Sequence, residues 1–147
     1  MKKLNLPLFE FKIKKENKNN IIFDEIRKKW IILTPEEWIR QNFIKYIISK
    51  KYPASHINCE KVFYINKVLK RYDIVVYNSF GKVEILVECK SPNIKINKDH
   101  FDQVMRYNIE LKSKRIVLTN GLENYYFKYN DKTNEYKQEK DLINYSK

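Results

Sequence analysis

Two runs, KRYDIVVY (residues 70–77) and KVEILVECK (residues 82–90), constrain this chain more than any other feature. Each reads as a strand rich in β-branched residues, and Asn78-Ser79-Phe80-Gly81 between them is a plausible hairpin loop. A four-residue loop pairs Tyr77 with Lys82, so that paired numbers sum to 159. Asp73 then lies opposite Leu86, with Glu88 a diagonal neighbour roughly 5–8 Å away. Side chains alternate along a strand. One face therefore carries Ile74, Val76, Ile85, Val87 and Cys89, and the other brings Asp73, Glu88 and Lys90 together. A bulge in the loop shifts that register.

The surroundings of this hairpin suggest one α/β domain spanning residues 1–147, with an N-terminal β extension (1–33), a core (34–130) and a polar tail (131–147). Phe9, Phe11 and Ile13 alternate with charged residues, the period of a half-buried strand. IIFDEIRKKWIIL reads as a second extended segment. Thr34 is a good N-cap, Pro35 suits the first helical position, and Glu37 completes a capping box. Trp38, Ile39, Phe43, Tyr46 and Ile47 then form an apolar stripe, and the helix should stop near Tyr52-Pro53. HINCEKVFYI is a third strand-like run, with a tight link at Asn66-Lys67. Ser91-Pro92-Asn93 breaks the strand that ends at Lys90. A second helix is expected from about Lys98 to Lys112, with Phe101, Val104, Met105 and Ile109 inward. RIVLTNG and ENYYFKYN read as two more strands. The core order is helix, three strands, helix, strand.

Composition narrows the functional classes. Thirty Lys and Arg against 18 Asp and Glu give a formal charge of +12. That suits solubility, and it also suits an anionic partner, nucleic acid first. No apolar run approaches the ~18 residues of a membrane span, and the N-terminus lacks an export signal. Cys59 and Cys89 lack metal-ligand spacing and read as buried free thiols, which points to a reducing cytoplasm. His56 and His100 are isolated, so a zinc site or a His-based triad has little support. Two glycines and no GxxxxGK[ST] leave no phosphate-cradling loop.

Asp, Glu and Lys on one strand face have two readings. The first is an ordinary surface ion pair of Lys90 with Asp73 or Glu88, worth little. The second is a metal site. Two carboxylates a few ångströms apart repel unless a cation lies between them. Mg²⁺ commonly takes one or two carboxylates and leaves its other positions to water and phosphate oxygens. A nearby Lys can orient water or offset developing charge. The set suits phosphodiester hydrolysis.

Asp73 followed by Glu88-Cys89-Lys90 resembles the D…(D/E)xK signature of the PD-(D/E)XK nuclease superfamily. The context RYDIVV…GKVEILVECKSP…FDQVMRYN…RIVLTNG is similar to the N-terminal nuclease domain of type I restriction enzyme R subunits, and closest to its small stand-alone versions. The likeness runs from about Ile22 to about Tyr129. It implies a restriction-endonuclease-like αβββαβ core, a mixed sheet flanked by helices. It makes Asp73 and Glu88 metal ligands, with the Cys89 carbonyl facing the metal and Lys90 positioning or activating the water. Family members often add a Glu from the first helix; Glu37 is the best match and Glu36 its neighbour, while Glu37 also serves the capping box. Gln103 and Tyr107 match a QxxxY motif, on one helix face at four-residue spacing; a solvated face and core packing are their plainer roles. Tyr72 stands where Pro is usual before the Asp. Type I R subunits also carry a helicase-type motor, and none is expected in these residues.

The resemblance thus implies an Mg²⁺-dependent DNA endonuclease, with Mn²⁺ substituting and the enzyme acting in the cytoplasm. Its partners would be DNA and other restriction or defence subunits, with a homodimer as one route to cutting both strands. A catalytically silent nucleic-acid-binding module and an RNA-acting nuclease are the alternatives. Lys95, Lys98 and Arg106 are candidate DNA contacts among the basic residues near the second helix; Lys112, Lys114 and Arg115, and Arg27, Lys28 and Lys29 before the first helix, are further ones. Trp30, Tyr125 and Tyr126 could stack on unpaired bases or pack in the core.

Overall fold

A computed structural model describes residues 2–146. The first helix, α1 (Pro35–Ser49), begins as its cap residues dictate: Thr34 is extended and its hydroxyl accepts the Glu37 N–H at 3.0 Å. The reciprocal half of the expected capping box is absent. The Glu37 carboxylate is drawn instead to Arg27 and Arg40, which offer charge-assisted bonds that a backbone N–H cannot match. Ile39, Phe43 and Ile47 form the buried stripe of α1. They pack on Ile74, Val76, Ile85, Val87 and Cys89, the apolar strand face expected from alternation. Each such side chain contributes about 1.5–3 kcal/mol by leaving water.

Those strands belong to a six-stranded mixed sheet. Its members are β4 (Ile57–Ile65), β5 (Val68–Tyr77), β6 (Val83–Cys89), β7 (Arg115–Thr119), β8 (Asn124–Asn130) and β9 (Glu135–Glu139). They lie side by side in chain order. All neighbours are antiparallel except β6 and β7. A parallel pair needs a crossover, and α2 (Lys98–Leu111) supplies it, covering Ile116 and Leu118 on the sheet face opposite α1. Asn97 and His100 exchange side-chain and backbone bonds at its start, so His100 serves as a cap. The core is thus α1, three strands, α2 and a strand, an α+β arrangement around a mixed sheet. Among the described residues no helix is long and apolar enough to cross a membrane.

Several local expectations change. Residues 21–33 are not one extended segment but most of a hairpin, β2 (Asn19–Asp24) and β3 (Lys29–Ile32), joined to a short β1 (Ile13–Glu16) in a separate three-stranded sheet. Phe9 and Phe11 lie before β1; Phe11 packs on Trp38, with ring centroids 5.1 Å apart. Ile109 does not face inward: it is exposed, and Asn108 takes the buried position, bonded to Ser113. The polar tail supplies β9, and Leu142 beyond it is buried against the α1 core. Cys59 is only half-buried, while Cys89 is fully buried; both are free thiols.

Candidate active site

The β4–β5 ladder is interrupted at one place. Cys59 pairs with Ile74 and Lys61 with Tyr72, which leaves Glu60 and Asp73 between them unpaired. Glu60 there has φ 55°, a left-handed conformation that ladder residues avoid. Tyr72 and Val75 consequently pack in one cluster although three residues apart, which strict alternation forbids. On its other side β5 departs from β6 as well: Tyr77 pairs with Val83, one residue later than a four-residue loop allows, and a register shift between Tyr77 and Val76 adds a second, so paired numbers sum to 161 rather than 159 from Val76 on. The ladder ends at Ile74–Val87. The next step brings Asp73 level with Glu88, not with Leu86, because the longer loop and the shift at Val76 together move β6 by two positions.

Asp73 fills the opening between the strands. Its Oδ2 accepts the Cys89 N–H at 2.7 Å and its Oδ1 accepts from Arg40 Nη2 at 2.8 Å. An extended residue points its N–H and C=O to the same edge, so the Cys89 carbonyl also leaves towards β5. Lys90, one residue on, turns the other way and donates its backbone N–H to Thr119 at 2.8 Å.

Glu88 is 5% exposed. Lys70 Nζ lies 3.8 Å from its Oε2, and that ammonium is held over the rings of Tyr72 and Tyr107, 5.5 Å from each centroid. Among the described residues Oε1 is buried with no partner, and so is the Tyr72 hydroxyl. Burial, then the Asp73 charge, push the Glu88 carboxyl up to about 7, against the pull of Lys70 and Lys90.

The two glutamates of α1 divide. Glu37 is buried in a network with Arg27 (2.8 Å), Arg40 (2.5 Å) and Gln41 (3.0 Å), which also includes Asp24. Glu36 is the one whose charge is felt at the site. Burial, then Asp73, raise its carboxyl, opposed by Arg40 and Lys90. The structure places Glu37 among arginines because they out-compete any other partner for a buried carboxylate, and it leaves Glu36 beside Asp73.

The helical spacing that makes Arg40 follow Glu36 and Glu37 by one turn brings its guanidinium between both glutamates and Asp73. Residues 35–142 match the family described as type I restriction enzyme R protein N terminus (HSDR_N). The chain belongs to that family.

The family and the core order bear out the resemblance to PD-(D/E)XK nucleases. Two solved structures are similar to this HSDR_N domain in fold. One is the type IIG restriction endonuclease BpuSI, with 17% identity and a TM-score of 0.44; the match covers 64% of this chain and 11% of that one. The other is a DUF820 protein from Anabaena variabilis ATCC 29413, described as a candidate nuclease, with 12% identity and a TM-score of 0.49; the match covers 85% of this chain and 79% of that one. The chain thus spans about a tenth of the length of the first. No curated protein matches.

The remaining sequence candidates of the HSDR_N domain scatter. Tyr107 of α2 reaches the site through Lys70 and packs beside Tyr72 and Leu86. Gln103, one turn earlier, is exposed, as are Lys95, Lys98 and Arg106. Arg27 is spent on Asp24, Glu37 and Glu60, and Arg115 is buried on Glu84. Sequence reasoning misses Arg40 and Lys70. The signal for Arg40 is its place one helical turn after a charged N-terminus; for Lys70, its alternation with Tyr72 on β5.

Among the described residues, no three His, Cys, Asp or Glu side chains stand together as a ready-made metal cage. The donor set, two carboxylates, one with a sealed and unpartnered oxygen, and a carbonyl on the same edge, would suit a hard cation bound by few protein oxygens. It fits Mg²⁺ or Mn²⁺. A cavity of about 860 Å³ lies elsewhere, between the second half of α2 and β8–β9, and includes neither carboxylate.

Proposed function

We propose that this domain is a metal-dependent nuclease that hydrolyses phosphodiester bonds in DNA, with Asp73 and Glu88 as the metal-holding carboxylates and the Cys89 carbonyl beside them. The observation that carries the reading is the buried, unpartnered Oε1 of Glu88 next to the Asp73 carboxylate. A lone buried carboxylate oxygen costs stability unless a cation meets it. A divalent cation there supplies Lewis-acid polarisation of the phosphoryl group and a lowered pKa for its water.

The chain's own residues do the rest. Asp73 is fixed by Arg40 and the Cys89 N–H, so it needs no reorganisation to present its oxygens. Lys70 supplies a counter-charge 3.8 Å from Glu88 Oε2. Lys90 orients the attacking water and offsets charge gathering on the phosphate. The +12 charge favours a polyanionic substrate, and DNA is the substrate class that a restriction-enzyme family suggests.

The test is cleavage of supercoiled plasmid by purified protein with and without Mn²⁺, with an RNA substrate alongside. Nicking that needs the ion and falls at least ~100-fold in Asp73→Ala and Lys90→Ala supports the reading; cleavage that survives both variants removes it. Preferential loss of RNA would reassign the substrate. A silent binding module is the second reading, favoured by one observation: Arg40 and the Cys89 N–H already engage both Asp73 oxygens. It expects no Mn²⁺ heat in a calorimetric titration.

A further inference from the structure

Beyond Asp73, β4 and β5 continue as a two-stranded ribbon. Among the described residues, the β5–β6 ladder covers only Ile74–Tyr77, and Val68–Tyr72 pairs with β4 alone. The ribbon closes at Asn66 (φ 49°) and Lys67 (φ 64°), the two left-handed positions of the tightest hairpin turn. One side is anchored: Phe63, Ile65 and Tyr72 pack together with Leu86, near Tyr107. The other side is bare. Tyr64 and Leu69 are a direct cross-strand pair there, 67% and 68% exposed, and Val62–Arg71 is the next pair towards the site.

The surrounding charges explain what such an apolar pair is for. From Lys61 to Tyr72 the sequence carries four cations and no carboxylate; Lys70 turns to the anchored side beside Glu88 and Lys61 pairs with Tyr72 there, while Arg71 shares the bare side and Lys67 stands at the turn. Protein interfaces also carry polar rims, but a rim with cations and no carboxylate suits base faces flanked by phosphates. A two-stranded ribbon is also narrow enough for a nucleic-acid groove. The ribbon is continuous with the site, since Arg71 is two residues from Asp73, and the Tyr64–Leu69 pair stands about 13 Å from it along the strand, roughly four base steps.

We infer that the β4–β5 ribbon is a nucleic-acid arm: Tyr64 and Leu69 contact bases of the strand entering the site, and Lys67 and Arg71 contact its phosphates. This rests on the nucleic-acid reading of the site but not on catalysis. The arm is separate from the carboxylates, and its residues can be changed without touching them.

The experiment is fluorescence anisotropy in EDTA, so that nothing is cut, with labelled single-stranded and duplex DNA across a salt series. The Tyr64→Ala/Leu69→Ala variant is expected to bind on the order of tenfold more weakly with an unchanged salt slope. Lys67→Ala/Arg71→Ala is expected to lower the slope of log K on log salt by about 0.9 for each phosphate no longer neutralised. Phe80→Ala, an exposed aromatic on the other hairpin, serves as the control and should bind as wild type. Quenching of 2-aminopurine by wild type but not by Tyr64→Ala reports the stacking directly; the strand type that shows it identifies the substrate form. Wild-type affinity in both arm variants overturns the arm and leaves the nuclease reading standing. So does sedimentation in which Tyr64→Ala/Leu69→Ala abolishes a dimer with no change in affinity, which makes the patch a self-contact. Arm-dependent binding without Mn²⁺-dependent cleavage sustains the arm and sinks the nuclease. A wild type that binds no nucleic acid sinks both.

Discussion

Arg40 Nη2 stands 2.8 Å from Asp73 Oδ1 while Nη1 of the same guanidinium stands 2.5 Å from Glu37 Oε1, so one side chain ties the start of α1 to the interruption in β5. The planar fork makes both bonds at once, which a Lys could not. It places a cation at the carboxylates from within the protein itself. The guanidinium therefore doubles as a structural pin and as a local counter-charge.

Arg40→Met is expected to cost about 3 kcal/mol, because it leaves Glu37 and Asp73 buried with one partner fewer. Urea unfolding in EDTA measures this. Adding Mn²⁺ should restore more stability to the variant than it adds to wild type, since the ion replaces a missing positive charge. Equal gains in the two proteins would separate Arg40 from the metal.

Glu36 and Glu37 should respond oppositely to the same change. Glu37→Gln weakens bonds to two buried arginines and is expected to lower stability by about 2 kcal/mol. Glu36→Gln, on the exposed side, should leave unfolding within ~0.5 kcal/mol. Mn²⁺ affinity should fall in Glu36→Gln. Calorimetry and urea titration on the pair decide which glutamate serves the site.

Metal-free protein should become more stable as pH falls from 8 to about 5. Glu88 ionises near 7 in the fold but near 4.5 when unfolded. Between those values the native state binds more protons than the unfolded one, so stability declines as pH rises through that window. The full span corresponds to about 3 kcal/mol. Glu88→Gln should flatten the dependence and stabilise the protein at pH 8. A wild-type profile flat from pH 5 to 8 would contradict the buried, unpartnered state of this carboxyl.

Removing residues 135–147 should lower Tm by about 10 °C or more. The segment carries the Tyr136 hydroxyl, bonded to Ser113 and Asn108, and the buried Leu142. Losing one buried Leu alone is worth about 3 kcal/mol. Differential scanning calorimetry on the shortened chain would show it; an unchanged Tm would make β9 an ornament.

The sequence is informative wherever one period decides the matter. The α1 stripe, the β5 and β6 apolar faces and the αβββαβ order follow from spacing and cap residues, and all are present. What escapes is decided by pairwise contacts. Glu36 and Glu37 are adjacent letters, and only the positions of Arg27 and Arg40 tell them apart. The register of Asp73 depends on two extra residues, one in the hairpin loop and one at the shift beside Val76, which no periodicity records. Ile109 looks like a core residue by spacing, but Asn108 takes the buried place through its bonds to Ser113 and Tyr136. β9 exposes Glu135, Lys137 and Gln138, and Tyr136 alone carries its apolar packing, too little pattern to mark a strand.

The unpaired step at Glu60 and Asp73 separates the chain into two lengths that can vary independently. Adding two residues to each strand between that step and Asn66 would extend the ribbon by about 7 Å and keep Tyr64 facing the same way. A single-residue insertion on each strand would turn it over. Neither change would touch the hold of Arg40 and Cys89 on Asp73. Reach and chemistry are thus separately heritable in this small domain, and the arm could be retuned without redesigning what lies at its base.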